Sequence, residues 1–125
     1  MSLAFRAAVE ARDIDAMAEA LSPDVKFHSP MAHTPFEGRE IVRELFEALF
    51  DTFEDFHYTD ELEAADGTHA LVFRAHVGDK QLQGLDLMRV GEDGLIHEFT
   101  VMIRPASGLM ALGQALAPKV EGLKQ

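Results

Sequence analysis

The sequence has 125 residues, which suits one domain around one core, and 47% of them are apolar, enough to build that core. Eleven basic against twenty-two acidic residues give a net charge of −11, which repels polyanions and argues against nucleic acid and membrane surfaces as partners. The absence of cysteine rules out disulfides and thiol catalysis and fits a cytoplasmic protein; no apolar run approaches the roughly 20 residues of a membrane span, and without a basic segment followed by an apolar one no signal peptide is expected.

Ser2 to Ala11 reads as a helix, with Leu3, Phe5, Ala8 and Val9 on one face. Asp13 suits the N-cap of a second helix, Ile14 to Leu21, with Ile14, Met17, Ala18 and Leu21 inward, stopped by Ser22-Pro23-Asp24. Val25 to Ser29 reads as a short strand with Val25, Phe27 and Ser29 on one side, and Pro30 to Glu37 as a loop. Gly38 leads into an amphipathic helix through Phe50, with Ile41, Val42, Leu45, Phe46, Leu49 and Phe50 apolar.

Phe56 to Ala64 alternates as a strand, with Phe56, Tyr58 and Leu62 on one side and Asp60 as an exception. After the turn Ala65-Asp66-Gly67, His69 to Val77 reads as another strand, with Leu71, Phe73, Ala75 and Val77 sharing a face. Gln81 to Val90 and the residues after Gly91-Glu92-Asp93-Gly94 form a hairpin. If Val90 faces Leu95, Asp86 lies opposite Phe99 and Met88 opposite His97. One face then carries Asp86, Met88, Val90, Leu95, His97, Phe99, Val101 and Ile103, a nearly apolar wall with one carboxyl set in it. Such a carboxyl is costly when charged and tends to be neutral or paired. A last apolar helix, Leu109 to Leu116, precedes Pro118 and a loose tail over 118–125. The order predicts one α+β domain over residues 1–125, a curved antiparallel sheet with helices on one side and a cone-shaped pocket between.

Ala11-Arg-Asp-Ile-Asp15 between the first helices, Gly38-Arg-Glu-Ile41 opening the third, and Gly84-Leu-Asp86 followed by Asp93-Gly-Leu-Ile96 resemble the SnoaL-like and ketosteroid-isomerase-like proteins of the nuclear transport factor 2-like superfamily. The resemblance runs to about Arg104. It implies a cystatin-like cone, the curved sheet wrapped around the N-terminal helices with an extra C-terminal helix, cofactor-free chemistry and a homodimer paired through the outer sheet face. That face would carry Arg74, His76, Arg89, Glu98 and Arg104 among Leu87, Ile96 and Met102. The isomerases of this group use an aspartate base, a tyrosine and a protonated aspartate. The protonated aspartate aligns with Asp86, but the base falls on Ser29 and the tyrosine on Phe5. The resemblance therefore argues against a true ketosteroid isomerase.

The candidate catalytic groups are Asp86 as acid or oxyanion donor, His33 as base and Tyr58 as a further donor. For each there is a plainer reading: a structural carboxyl, an ordinary loop histidine and a core aromatic. The expected pocket lining is Phe5, Ser29, Met31, Phe46, Phe50, Phe73, Met88, Phe99 and Val101. The six histidines lack metal-ligand spacing, so neither metal nor cofactor is expected. Two functions stand side by side: a protein that binds, and as an isomerase or cyclase transforms, a small hydrophobic carbonyl compound; or a non-catalytic ligand-binding or dimerisation module of the same fold.

Overall fold

Apolar residues at helical spacing set the first half of the chain. The computed structural model describes residues 3–123. Helix α1 (Ala4–Glu10) buries Phe5, Ala8 and Val9. Helix α2 (Ile14–Glu19) is capped as its sequence predicts, the Asp13 carboxylate accepting from the Ala16 N–H at 3.0 Å. Strand β1 spans Leu21–His28, so Ser22-Pro23-Asp24 lies within the strand, where the pairing slips, and Leu21 belongs to the sheet instead of the helix. Within the expected loop, Phe36–Glu37 forms a two-residue strand β2, too short to show a period in sequence.

Helix α3 (Arg39–Thr52) follows Gly38, whose φ of 102° suits a residue without a side chain. Its buried stripe of Val42, Leu45, Phe46 and Ala48 packs on the sheet. Then come β3 (Glu54–Glu63), β4 (His69–Val77), β5 (Lys80–Val90), β6 (Ile96–Arg104) and α4 (Ala106–Leu116). The order across the six-stranded sheet is β2-β1-β6-β5-β4-β3. Its pairs are antiparallel except β1 with β6, which run parallel. No helix among the described residues is long and apolar enough to cross a membrane.

Two register shifts correct the predicted faces. On β6, Val90 pairs with Ile96, Arg89 with Glu98, Met88 with Phe99 and Asp86 with Val101. His97 is the extra residue of a bulge; it turns outward to Asp93 at 3.0 Å, while Ile96 is 1% exposed and enters the core. On β3, Tyr58 pairs with Phe73 but Asp60 with Val72, so the alternation flips after Thr59. Leu62, predicted inward, is 58% exposed. Glu61, predicted outward, instead faces α1, where it binds Arg6 at 2.9 Å and accepts from the Leu3 N–H.

The main core joins α1, α2, α3 and the sheet around Phe5, Phe27, Phe46 and Phe99, whose ring centroids lie 5.1–5.7 Å apart. A second cluster sits under α4 around Phe73, Ala75, Leu82 and Leu112. Of the expected tail, Lys119 pairs with Asp51 at 2.9 Å, and Val120 and Leu123 pack against the main core. Ser2 of the expected first helix and residues 124–125 of the expected tail lie outside the described residues.

Candidate functional site

Asp86 lies mid-strand on β5, on the same pleat as Gly84 and Met88, so strand alternation aims it into the cone. Across the sheet it meets Leu71 of β4 and Val101 of β6. It is 5% exposed. Burial, with no hydrogen bond or neighbouring cation among the described residues to oppose it, holds its carboxyl well above the usual carboxylate range. A carboxyl in its neutral form carries a proton it can donate.

Asp86 faces a cavity of about 40 Å³. Phe5, Phe27, Phe46, Phe50, Phe53, Phe56, Phe73 and Phe99 supply its aromatic wall, Leu112 and Leu116 of α4 close one side, and Ser29, Pro30 and Met31 meet it from the loop after β1. Asp86 and Ser29 are the only polar side chains on this lining. The tip of the Phe73 ring covers Gly84: a Cβ there would sit 2.0 Å from its Cζ. Phe56 stacks on Phe73 in turn, at 4.8 Å and 27°. The cavity holds a few waters at most, whereas ligand sites usually measure roughly 300–1,000 Å³.

Eight of the nine predicted lining residues border this space: Phe5, Ser29, Met31, Phe46, Phe50, Phe73, Phe99 and Val101. Met88 does not; opposite Phe99, one pleat beyond Asp86, it is packed in the solid core at 0% exposure. Ser29 Oγ accepts from the Met31 N–H at 3.0 Å, which makes it the pivot of the loop turn rather than a base. Phe5 is locked edge-on against Phe99.

His33, expected as a base, does not line the cavity. The loop carries it over the outer face of β1 and β6, into an open groove with His28, Thr34, Glu98 and Thr100. Tyr58 points inward as predicted, and its hydroxyl is buried without a hydrogen-bond partner among the described residues. Burial, with the nearby Asp86 carboxyl as a second cause, holds the phenol protonated far above its usual value. Tyr58 borders a separate notch with Val9, Arg12 and His57. Phe56 bridges the two places: it lines the cavity and meets Tyr58 edge-on at 5.1 Å.

Sequence reasoning missed Phe27, Phe53, Phe56, Leu112 and Leu116 as lining residues. The i, i+4 pair Leu112 and Leu116 on the last helix was the available signal, since that spacing stacks two side chains on one face. A wider hollow of about 740 Å³ opens between α2, α3 and the chain's last residues. Its charged walls, among them Arg12, Glu44 and Asp51, meet solvent, and the one buried side-chain atom without a hydrogen-bond partner among the described residues, the Tyr58 hydroxyl oxygen, lies outside it. Among the described residues no three His, Asp or Glu side chains converge as metal ligands.

The SnoaL-like domain family matches residues 3–99. Among solved structures, a steroid delta-isomerase from Pseudomonas aeruginosa is 40% identical, with a TM-score of 0.87 over 92% of this chain and 85% of that one. A protein with a cystatin-like fold from Silicibacter pomeroyi is 28% identical, with a TM-score of 0.88 over 95% of this chain and 84% of that one. A nuclear transport factor 2-like protein from Cytophaga hutchinsonii, 20% identical with a TM-score of 0.65 over 84% of this chain and 88% of that one, shares the fold. A comparison with curated proteins gives no match.

Proposed function

Because the chain belongs to the SnoaL-like domain family of the nuclear transport factor 2-like superfamily, we propose that it binds a small hydrophobic carbonyl compound of steroid-like or polyketide-like shape in the Asp86 cavity. The observation that carries this reading is the buried carboxyl of Asp86, without a hydrogen-bond partner among the described residues, inside a wall of phenylalanines. A buried donor without an acceptor is costly, and a ligand carbonyl supplies the acceptor. The 40% identity to a protein described as a steroid delta-isomerase supports the carbonyl class. As an enzyme the protein would work by cofactor-free acid–base chemistry, with Asp86 stabilising the oxyanion or enolate and Tyr58 assisting behind Phe56. Among the described residues the lining supplies no base to take the proton that forming an enolate releases, because His33 lies elsewhere and Ser29 Oγ is engaged by the loop, so that proton would have to pass to solvent or to another group of the ligand.

The test is binding of prodan, a planar aromatic ketone whose emission reports polarity and hydrogen bonding. Asp86→Leu should weaken it about fivefold, the worth of one hydrogen bond of ~1 kcal/mol, while Asp86→Asn, which keeps a donor, should bind nearly as well as the wild type. Equal binding by all three proteins refutes the role given to Asp86. A second reading, a non-catalytic module whose cone is filled by its own side chains, is supported by the small cavity of about 40 Å³. It expects no ketone binding at all.

The partner we infer is a second copy of the chain. On the outer sheet face, Met102 is 50% and Leu62 58% exposed beside half-buried Leu85 and Leu87, with Arg74, Arg89 and Arg104 around them. Ile96 does not belong to this face. Sedimentation of Met102→Glu should show a monomer where the wild type is a dimer; an unchanged assembly removes this interface.

A further inference from the structure

Any ligand of the Asp86 cavity faces a problem of access: the space holds a few waters, and most of its lining is buried or half-buried. Among the described residues on the lining, Met31 alone is exposed, at 50%. It follows Ser29-Pro30, and its backbone N–H is held by Ser29 Oγ at 3.0 Å. Its thioether reaches across to α4, where Gly113 leaves it a seat: a Cβ on Gly113 would lie 2.7 Å from Met31 Cε and 3.3 Å from Sδ. The rest of α4 is fixed more firmly. Gly108 lets the helix press on β5, where a Cβ would lie 2.6 Å from the Gln81 carbonyl oxygen, and at the other end Lys119 is tied to Asp51 and Thr52 of α3.

From this contrast we propose that Met31, seated on Gly113, is the gate of the Asp86 cavity, and that apolar ligands enter between the loop after β1 and the middle of α4. The inference rests on reading the cavity as a ligand site. An unbranched methionine with three rotatable bonds suits the part, since it can leave its seat without moving the backbone. Glycine suits the seat, although it weakens a helix interior relative to alanine. When Met31 swings out, the void it vacates joins the cavity to solvent and exposes the Asp86 proton to an incoming carbonyl oxygen.

The experiment is stopped-flow mixing of the intact protein with prodan, for the wild type, Met31→Ala, Gly113→Ala and the double variant. Met31→Ala should speed entry and exit about tenfold, as expected if the open state is a ~10% minor population in the wild type. Gly113→Ala, which evicts the thioether from its seat, should act in the same direction. The double variant should be no faster than Met31→Ala, because both changes remove one contact. Rates within twofold of the wild type in both single variants, with binding intact, overturn the gate and leave the ligand site standing. No uptake by any of the four proteins, including those with the gate removed, overturns both. Circular dichroism of Gly113→Ala confirms folding, and Met31→Ala, altering an exposed side chain, keeps the test decisive if that variant fails.

Discussion

Replacing Asp86 by asparagine isolates the proton that the fold forces on this residue. The two side chains have nearly the same shape, and neither finds a partner among the described residues, so packing changes little. They differ in linkage. The folded state holds the Asp86 proton well above the ordinary carboxylate range, whereas the unfolded chain releases it near the usual aspartate value of about 3.9. A folded-state pKa raised in this way gives a contribution that is fully present below the unfolded value and lost as pH rises towards the folded one. The loss is at most ~1.4 kcal/mol per pH unit, so two units cost about 2.7 kcal/mol, a large part of an ordinary domain's 5–15 kcal/mol. The assay is urea unfolding of both proteins from pH 4 to pH 8 at constant ionic strength, taking the difference so that other titrations cancel. The wild type should fall relative to Asp86→Asn as pH rises above the unfolded value, and the difference should level off once Asp86 ionises in the fold. A flat difference curve would mean that Asp86 titrates normally in the native state, and the proposal of a neutral donor would fail with it.

Gly84→Ala should destabilise by about 1–3 kcal/mol in urea unfolding, because its Cβ would lie 2.0 Å from the Phe73 ring and the ring cannot shift without disturbing Phe56 stacked on it. His76 is held by Asp55 at 2.6 Å and by the Gly78 carbonyl, with Glu54 nearby, and these partners, Asp55 first, raise its pKa. The stabilisation is present below the usual histidine value and lost as pH rises through the raised one, so melting temperatures of wild type and His76→Gln should converge at alkaline pH and separate in weak acid. An imidazole NMR titration at the ordinary midpoint would contradict this.

Elements set by strong periodicity were legible before any coordinates. The stripe of Val42, Leu45 and Phe46 announced α3, and the alternation of Leu71, Phe73 and Ala75 announced β4 with its bounds. Asp86 stood out because a carboxyl broke an apolar face, and it lies buried on the lining of the candidate site. What failed were features one residue long. Bulges at Thr59 and His97 carry no composition signal, yet each reverses the pleat beyond it, which is why Leu62, Glu61, Ile96 and His97 changed sides. His33 failed for a related reason: the path of a loop is decided by what it packs on, and periodicity says nothing of it. The two-residue strand β2 and the void itself were equally invisible, since an apolar residue facing a cavity has the same pattern as one facing a neighbour.

The parallel pairing of β1 with β6 also has a consequence for how the protein is made. Phe27 lies beside Phe99, more than half the chain away, and β1 has no large partner except β6. During synthesis from the N-terminus, α1, α2 and β1 therefore leave the ribosome well before the strand that completes their side of the sheet. Until then Phe5, Phe27 and Phe46 lack the ring of Phe99 at the centre of their cluster. The local meander of β3, β4 and β5 and the short β1–β2 pair can form as they emerge; the join between them must wait for β6. Nascent chains stopped at Val90 should thus be cut readily by protease within residues 3–52, and chains extended past Arg104 should be protected there, so that the final hairpin strand commits the whole domain at once.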